Sequence, residues 1–211
     1  MEPHFPQGGA AGASGAGLLP PAGFGDPVFQ AQAVFRGALH ALAHPGELVD
    51  LGASSVFVEG LAPATAALLL ALADAETPVW LPGDVGQPAR SLLRFHSGCP
   101  LAGGPGQARF VVAPAGHAMP ALAALQAGSA AYPDRSTTLL LEVGGFDAPA
   151  GATLRGPGIR GSRRLAPRGL PASFWTQWRD NHRRFPLGVD VFMIDGPVLC
   201  GLPRSTQAQE D

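Results

Sequence analysis

The most informative absence in this sequence of 211 residues is lysine, because all 14 basic residues are arginine. A chain without lysine cannot form a lysine Schiff base with a carbonyl compound, nor can it build a phosphate loop that depends on a lysine. The HExxH zinc motif and the GxSxG nucleophile elbow are absent too. We therefore expect no pyridoxal phosphate, no other cofactor and no motif-based hydrolase site.

Cysteine and long apolar runs are also scarce. The two cysteines, Cys99 and Cys200, are far apart and form no CxxC pair, which is typical of a reduced cytoplasmic protein. No apolar run reaches the roughly 18 residues that a membrane span needs. The N-terminus lacks the basic and apolar regions of a secretory signal. We expect a cytoplasmic protein that does not enter a membrane.

The charge of the chain is unevenly distributed, although the net charge is only −2. Residues 155–184 contain eight arginines and one acid, whereas the remainder contains six arginines and 15 acids. A local basic segment on an acidic chain indicates a specific anionic ligand or partner more than general binding to nucleic acid. We expect no nucleic-acid partner.

Helical and strand patterns alternate along most of the chain, which predicts an α/β domain with a mixed, largely buried sheet flanked by helices. Residues 1–22 are rich in Gly, Ala and Pro and are predicted to be a flexible tail. The domain then covers 23–206, and 207–211 is a short polar tail. Helices are predicted at about 26–44, 64–75, 86–96, 120–126 and 171–184, and about seven strands at 48–51, 79–81, 109–113, 136–143, 152–155, 189–194 and 198–202.

The last two predicted strands form a hairpin around Asp195-Gly196, since an Asp-Gly step suits a tight turn. Asp190 is then a carboxylate within an apolar strand, where an unpaired charge is costly. Arg204, just beyond the hairpin, is a candidate partner. A structural ion pair is the favoured interpretation of Asp190, and a ligand contact is the alternative.

Residues 156–161 match the pattern GxGxxG after a predicted strand. A dinucleotide site would need a helix to begin there and an acid at a strand end about 20 residues later, and neither follows. A glycine loop that exposes N–H groups beside Arg160 and Arg163 instead favours a phosphate or carboxylate site. An ordinary surface loop remains an equal alternative.

His40 and His44 have the spacing of a metal-binding pair on one helix. His44 precedes Pro45, where the helix ends, and no third ligand is apparent nearby. We therefore expect no metal site.

Several stretches taken together resemble one protein family, the PhnH subunits of the phosphonate C–P lyase system. The resemblance covers about residues 23–206 and rests on five stretches in the same order: GFGDPVFQAQAVFRGALHALAHPGELVDL (23–51), YPDRSTTLLLEV (132–143), LRGPGI (154–159), FPLGVDVFMIDG (185–196) and GLPRST (201–206).

This resemblance implies a fold similar to the large domain of pyridoxal-phosphate-dependent transferases, without use of that cofactor. It also implies a homodimer that joins subunits G, I and J of a bacterial complex. That complex attaches a phosphonate to the ribose of a nucleoside triphosphate and displaces the base. No catalytic role is implied for any residue of this subunit.

Two function classes remain open: a non-catalytic subunit that completes a transferase complex, or a small-molecule transferase or anion-binding protein that acts on its own. A nucleoside triphosphate and a phosphonate are the candidate ligands. The candidate residues for binding an anion or a partner are Arg36, Gly156, Gly158, Arg160, Arg163, Asp190 and Arg204.

Overall fold

The computed structural model describes residues 22–52 and 56–211, so the predicted tail of 1–22 lies almost wholly outside the described residues. The helices are α1 (Pro27–Ala43), α2 (Pro63–Leu72), α3 (Gln87–His96) and α4 (Phe174–Arg183). The strands are β1 (Leu48–Asp50), β2 (Val79–Trp80), β3 (Phe110–Ala113), β4 (Thr138–Glu142), β5 (Ala152–Arg155), β6 (Arg163–Leu165), β7 (Asp190–Asp195), β8 (Val198–Leu202) and β9 (Gln207–Glu210).

Two sheets organise these strands. The large sheet has the order β1-β8-β7-β4-β3-β2, and the small sheet has the order β6-β5-β9. β2, β3, β4 and β7 run parallel, β8 pairs antiparallel with β7, and β1 pairs antiparallel with β8. The predicted mixed α/β sheet is therefore confirmed.

The large sheet is covered on both faces, which explains why its strands are almost continuously apolar. Alternate residues of the strands enter two separate cores, one on each face of the sheet. Leu140 and Phe192 pack on the face that α1, α2 and α3 cover. Leu139, Leu141 and Met193 pack on the side of α4 and the small sheet. Residues on adjacent strands meet because Leu140 is in register with Phe192.

Helix α1 begins and ends where the sequence predicts. The Asp26 side chain accepts a hydrogen bond from the N–H of Phe29 at 3.3 Å, and Pro27 follows as the first helical residue. The helix lies very close to β8, since a Cβ added to Gly201 would come within 2.4 Å of the Ala41 carbonyl oxygen. A side chain at position 201 would therefore push α1 off the sheet.

The predicted hairpin is confirmed, with Asp195 in register with Val198 and Gly196 at a φ of +57°. Two strands were missed by sequence analysis. β6 lies in the arginine-rich stretch, and β9 lies in the residues assigned to a polar tail; both pair antiparallel with β5. Their sequences lack the apolar alternation of a half-buried strand, because both are short edge strands that bury only Leu165 between them.

The predicted helix at 120–126 is reduced to a short 3-10 turn at Leu122–Ala124. In the described part of the chain, no helix combines the length and apolarity needed to cross a membrane.

Candidate functional site

The hairpin carries a part-buried ion pair between Asp190 and Arg204, as the favoured structural interpretation predicts. Arg204 donates to both carboxylate oxygens of Asp190, and its backbone N–H also donates to Oδ1 at 2.7 Å. Its remaining N–H groups reach the Pro133 carbonyl at 2.8 Å and the Ser136 hydroxyl. The two side chains are only 13% and 19% exposed. Arg204 thus fastens the start of β7 to the segment before β4.

Arg163 is a second arginine with a structural task. It lies in β6, and its Nη2 donates to Glu47 Oε1 at 2.9 Å, while its Nη1 donates to the Pro45 carbonyl at 3.0 Å. These contacts fasten the small sheet to the turn between α1 and β1. A hydrogen bond with His40, together with the nearby Arg163, lowers the pKa of Glu47 below its usual value.

The glycine loop packs against the end of α1. Gly158 has a φ of +81°, and a Cβ there would come within 2.0 Å of the Ala43 carbonyl oxygen. Gly156 has a φ of +141° and lies against Ser205. Close packing therefore accounts for both glycines without a ligand. The exposed carbonyls at a helix C-terminus carry partial negative charge, which disfavours an anion beside Gly158. A phosphate at this loop stays a prediction.

The other two predicted arginines are exposed. Arg36 lies on the outer surface of α1 and donates to the Gln32 side chain at 2.8 Å. Arg160 is exposed in the β5–β6 loop. The structure therefore does not bring the seven predicted residues into one site, because Arg36, Asp190 and Arg160 belong to separate surfaces.

The arginines that do converge line a pocket of about 280 Å³ between α4 and the small sheet. We call this the basic pocket. Its lining residues are Thr153, Arg155, Arg179, His182, Arg183, Gln207, Ala208 and Gln209. β5 contributes the first two, α4 the next three and β9 the last three, so the pocket exists only because β9 pairs with β5.

The cations of the basic pocket are only partly neutralised. Arg183 pairs with Asp180 at 2.7 Å, but both side chains are mostly exposed, so screening weakens this pair. In the described parts of the chain, neither Arg155 nor Arg179 has an ion-pair partner. His182 Nδ1 donates to the Arg204 carbonyl at 2.9 Å. The pocket therefore attracts anions, and its donor groups suit phosphate or carboxylate oxygens.

Sequence analysis missed one carboxylate with an organising role. Glu142, at the carboxyl end of β4, accepts hydrogen bonds from the Ala62 N–H and the Thr65 hydroxyl, both at 2.7 Å, and from the Ala115 N–H at 3.2 Å. The residue that precedes α2 has no capping side chain, so Glu142 supplies the negative charge that a helix N-terminus favours. No local pattern could reveal these contacts, because the three partners are 80, 77 and 27 positions away.

A separate surface of α1 is apolar and exposed. Val28, Phe35 and Leu39 lie seven and four residues apart, so they form one stripe along the helix, with exposures of 75%, 51% and 57%. We call these three residues the apolar stripe. Large exposed apolar patches often mark protein–protein interfaces.

The fold and these surfaces define a class of protein: a mixed α/β domain with an arginine-lined pocket and a separate, exposed apolar stripe. Comparison with known proteins gives the family. Residues 22–209 match the family described as "Bacterial phosphonate metabolism protein (PhnH)". The chain therefore belongs to the PhnH family, as the resemblance of its motifs predicts.

Two relatives are informative. The chain is 35% identical over 189 residues to the alpha-D-ribose 1-methylphosphonate 5-triphosphate synthase subunit PhnH of Rhizobium meliloti (strain 1021), which covers 89% of this chain and 94% of that protein. It is 33% identical over 79 residues to HtxG of Stutzerimonas stutzeri, which is named provisionally as a C-P lyase subunit protein. That match covers 37% of this chain and 40% of HtxG.

Proposed function

We propose that this protein is the PhnH subunit of an alpha-D-ribose 1-methylphosphonate 5-triphosphate synthase and acts with subunits G, I and J in the bacterial cytoplasm. The observation that carries this proposal is the 35% identity to a named subunit over 94% of its length. In this role the chain supports the synthesis of the ribose methylphosphonate triphosphate during organophosphonate catabolism. It supplies surfaces to the complex rather than the reacting groups.

The apolar stripe supports a subunit role, and we assign it to a contact with another subunit of the synthase. Arg36 lies next to Phe35 at the edge of the stripe and is exposed. Specific interfaces commonly have an apolar centre with a polar rim, in which arginine and aromatic residues are enriched. Arg36 therefore fits the rim of this contact, where it would pair with a carboxylate of the partner.

Two further properties belong to this proposal. The first is a homodimer, which would place two copies of the apolar stripe on one particle. The second is a resemblance of the fold to the large domain of pyridoxal-phosphate-dependent transferases. The mixed sheet with parallel β2, β3, β4 and β7 supports this relation. Without lysine, the chain cannot hold pyridoxal phosphate as an internal aldimine, so such a fold would serve another purpose here.

The basic pocket favours a second candidate function, a small-molecule transferase or anion-binding protein that acts on its own. Its arginines come from two elements and face a cavity of about 280 Å³, which suits a polyphosphate or phosphonate group. Anion binding at this pocket is compatible with the first candidate, since a subunit of the synthase would also meet a triphosphate; action without the other subunits is the alternative to it.

A growth experiment tests the subunit role. A bacterium that lacks its own PhnH gene is supplied with this chain and grown on methylphosphonate as the sole phosphorus source. We expect growth with the intact chain and loss of growth with Phe35→Glu, which places a charge in the apolar stripe. Phe95→Glu, at an exposed phenylalanine on α3, is the matched control. Failure of the intact chain to restore growth in a host that also receives the cognate G, I and J subunits would contradict the proposal.

A further inference from the structure

We propose that His40, His44 and Glu47 form a binding site for a divalent transition-metal ion, with Zn²⁺ as the ion that the donor set suits best. One ligand atom from each of these residues lies within 4.8 Å of the other two. We call the three residues the His-His-Glu cluster. It lies at the end of α1 and shares no residue with the basic pocket.

The fold brings the third ligand to the pair that sequence analysis considered alone. His40 and His44 are four residues apart at the end of α1, so they project from the same side of the helix. The helix then ends, Gly46 adopts a φ of +81°, and the Glu47 N–H donates to the His44 carbonyl at 3.1 Å. This tight turn places a Glu47 carboxylate oxygen 2.9 Å from His40 Nε2.

Hydrogen bonds orient His44 and Glu47 for an ion, and the ion would replace the proton that now joins His40 Nε2 to Glu47 Oε2. His44 Nδ1 lies 3.0 Å from the His40 carbonyl oxygen, which only accepts, so Nδ1 carries the proton. In the neutral ring, Nε2 then has a free lone pair, and a backbone carbonyl is a common partner for the non-ligating nitrogen of metal-bound histidine. Arg163 holds Glu47 Oε1 at 2.9 Å, which leaves Oε2 on the histidine side.

The surroundings permit the small movement that binding requires. A tetrahedral ion with ligands at about 2.1 Å separates its ligand atoms by roughly 3.4 Å, so side chains now up to 4.8 Å apart must close slightly. His40 is exposed, and His44 and Glu47 are half-buried, so rotation of their side chains displaces no core residue. The C-terminal carbonyls of α1 add a favourable field for a cation.

The donor set indicates the class of ion. Two imidazoles and one carboxylate suit Zn²⁺ and neighbouring transition metals, whereas Mg²⁺ and Ca²⁺ prefer oxygen ligands. Three protein ligands leave the fourth position of a tetrahedral ion for water or an incoming group, as in catalytic rather than closed structural zinc sites. The site therefore accepts an additional oxygen or nitrogen ligand.

The test is a titration of the full-length protein with Zn²⁺, followed by calorimetry, and with Co²⁺, followed by visible absorption. We expect one equivalent to bind, with the intense visible bands of tetrahedral Co²⁺. His44→Ala and Glu47→Gln should each weaken binding at least about tenfold, and Arg163→Ala should weaken it by a similar factor through the loss of carboxylate orientation. His117→Ala, which alters a histidine paired with Asp84 elsewhere, should leave binding unchanged.

Circular dichroism verifies that each variant is folded, and Glu47→Gln keeps a side chain of the same shape if His44→Ala does not fold. A protein that binds no Zn²⁺ at one equivalent overturns the proposal. Binding that survives both His44→Ala and Glu47→Gln also overturns it, since the ion then lies elsewhere. None of these outcomes depends on the other subunits, so the result is independent of the growth experiment.

Discussion

Arg204 and the arginines of the basic pocket have the same side chain but opposite surroundings. Arg204 is 13% exposed and surrounded by a carboxylate, a carbonyl and a hydroxyl. Arg155, Arg179 and Arg183 are exposed around a cavity, and among them only Arg183 pairs with a carboxylate, that of the exposed Asp180. A buried and fully hydrogen-bonded arginine therefore stabilises the fold, whereas exposed arginines with few carboxylate partners are available to a ligand.

The largest effect is expected from breaking the buried pair. Asp190→Ala leaves the Arg204 guanidinium in a part-buried position without its carboxylate, so we expect the free energy of unfolding to fall by about 2–4 kcal/mol. Urea denaturation measures this change. Arg155→Ala is the control and should cost less than about 0.5 kcal/mol. Equal losses of stability in the two variants would contradict the claim that the Asp190–Arg204 pair stabilises the fold more than an exposed arginine does.

Arg160 and Arg163 provide a second contrast between an exposed and a hydrogen-bonded arginine. They are three residues apart, and sequence analysis treated them alike. Arg163→Ala removes hydrogen bonds to Glu47 and Pro45 and should destabilise the protein by about 1–2 kcal/mol. Arg160→Ala removes an exposed side chain and should stay within about 0.5 kcal/mol of the parent. Melting curves of the two single variants measure this; a destabilised Arg160→Ala with a normal Arg163→Ala would reverse the assignment.

The basic pocket is tested by ligand affinity rather than by stability. The double substitution Arg155→Ala with Arg179→Ala should weaken the binding of inorganic tripolyphosphate about tenfold or more, because charge-assisted contacts are lost. Calorimetry at two salt concentrations measures the affinity, and the parent should lose affinity as salt increases. Arg36→Ala with Arg160→Ala removes equal charge elsewhere and serves as control. Equal losses in both double variants would show a general charge effect instead of a site.

Cys200 is a buried ionisable side chain of another kind. Its ionisation should have the smallest effect on the stability of the protein at neutral pH. Burial raises the pKa of its thiol to about 12, so the folded protein keeps this proton at pH 8. We expect thiol reagents to modify Cys200 only after unfolding. Because the unfolded thiol ionises at lower pH than the folded one, Cys200 should lower stability only as pH rises above about 9. Rapid modification of Cys200 in the folded protein at pH 8 would contradict its buried, protonated state.

Local sequence signals were sufficient for most elements of this fold. Asp26 and Pro27 mark the start of α1, the apolar run at β4 marks a central strand, and Asp195-Gly196 marks the hairpin. The same reasoning anticipated the pairing of Asp190 with Arg204, because a carboxylate in an apolar strand needs a cation.

The rest depended on contacts between distant residues. β9 has little apolar character, and only its pairing with β5 reveals the basic pocket. Glu142 is tied to Ala62 across 80 positions. Glu47 joins His40 and His44 only because the turn at Gly46 folds it back. Sequence analysis identified the arginine-rich segment but could not tell which arginines would be neutralised.

The central claim, that this chain is a subunit of the synthase, is tested most directly by copurification. The chain is coexpressed with tagged subunit I and untagged subunits G and J of the same bacterium, and the complex is isolated by affinity and size-exclusion chromatography. We predict that the intact chain coelutes in a fixed ratio, that Arg155→Ala with Arg179→Ala still coelutes, and that Phe35→Glu is released. An intact, folded chain that elutes alone at micromolar concentration would contradict the account.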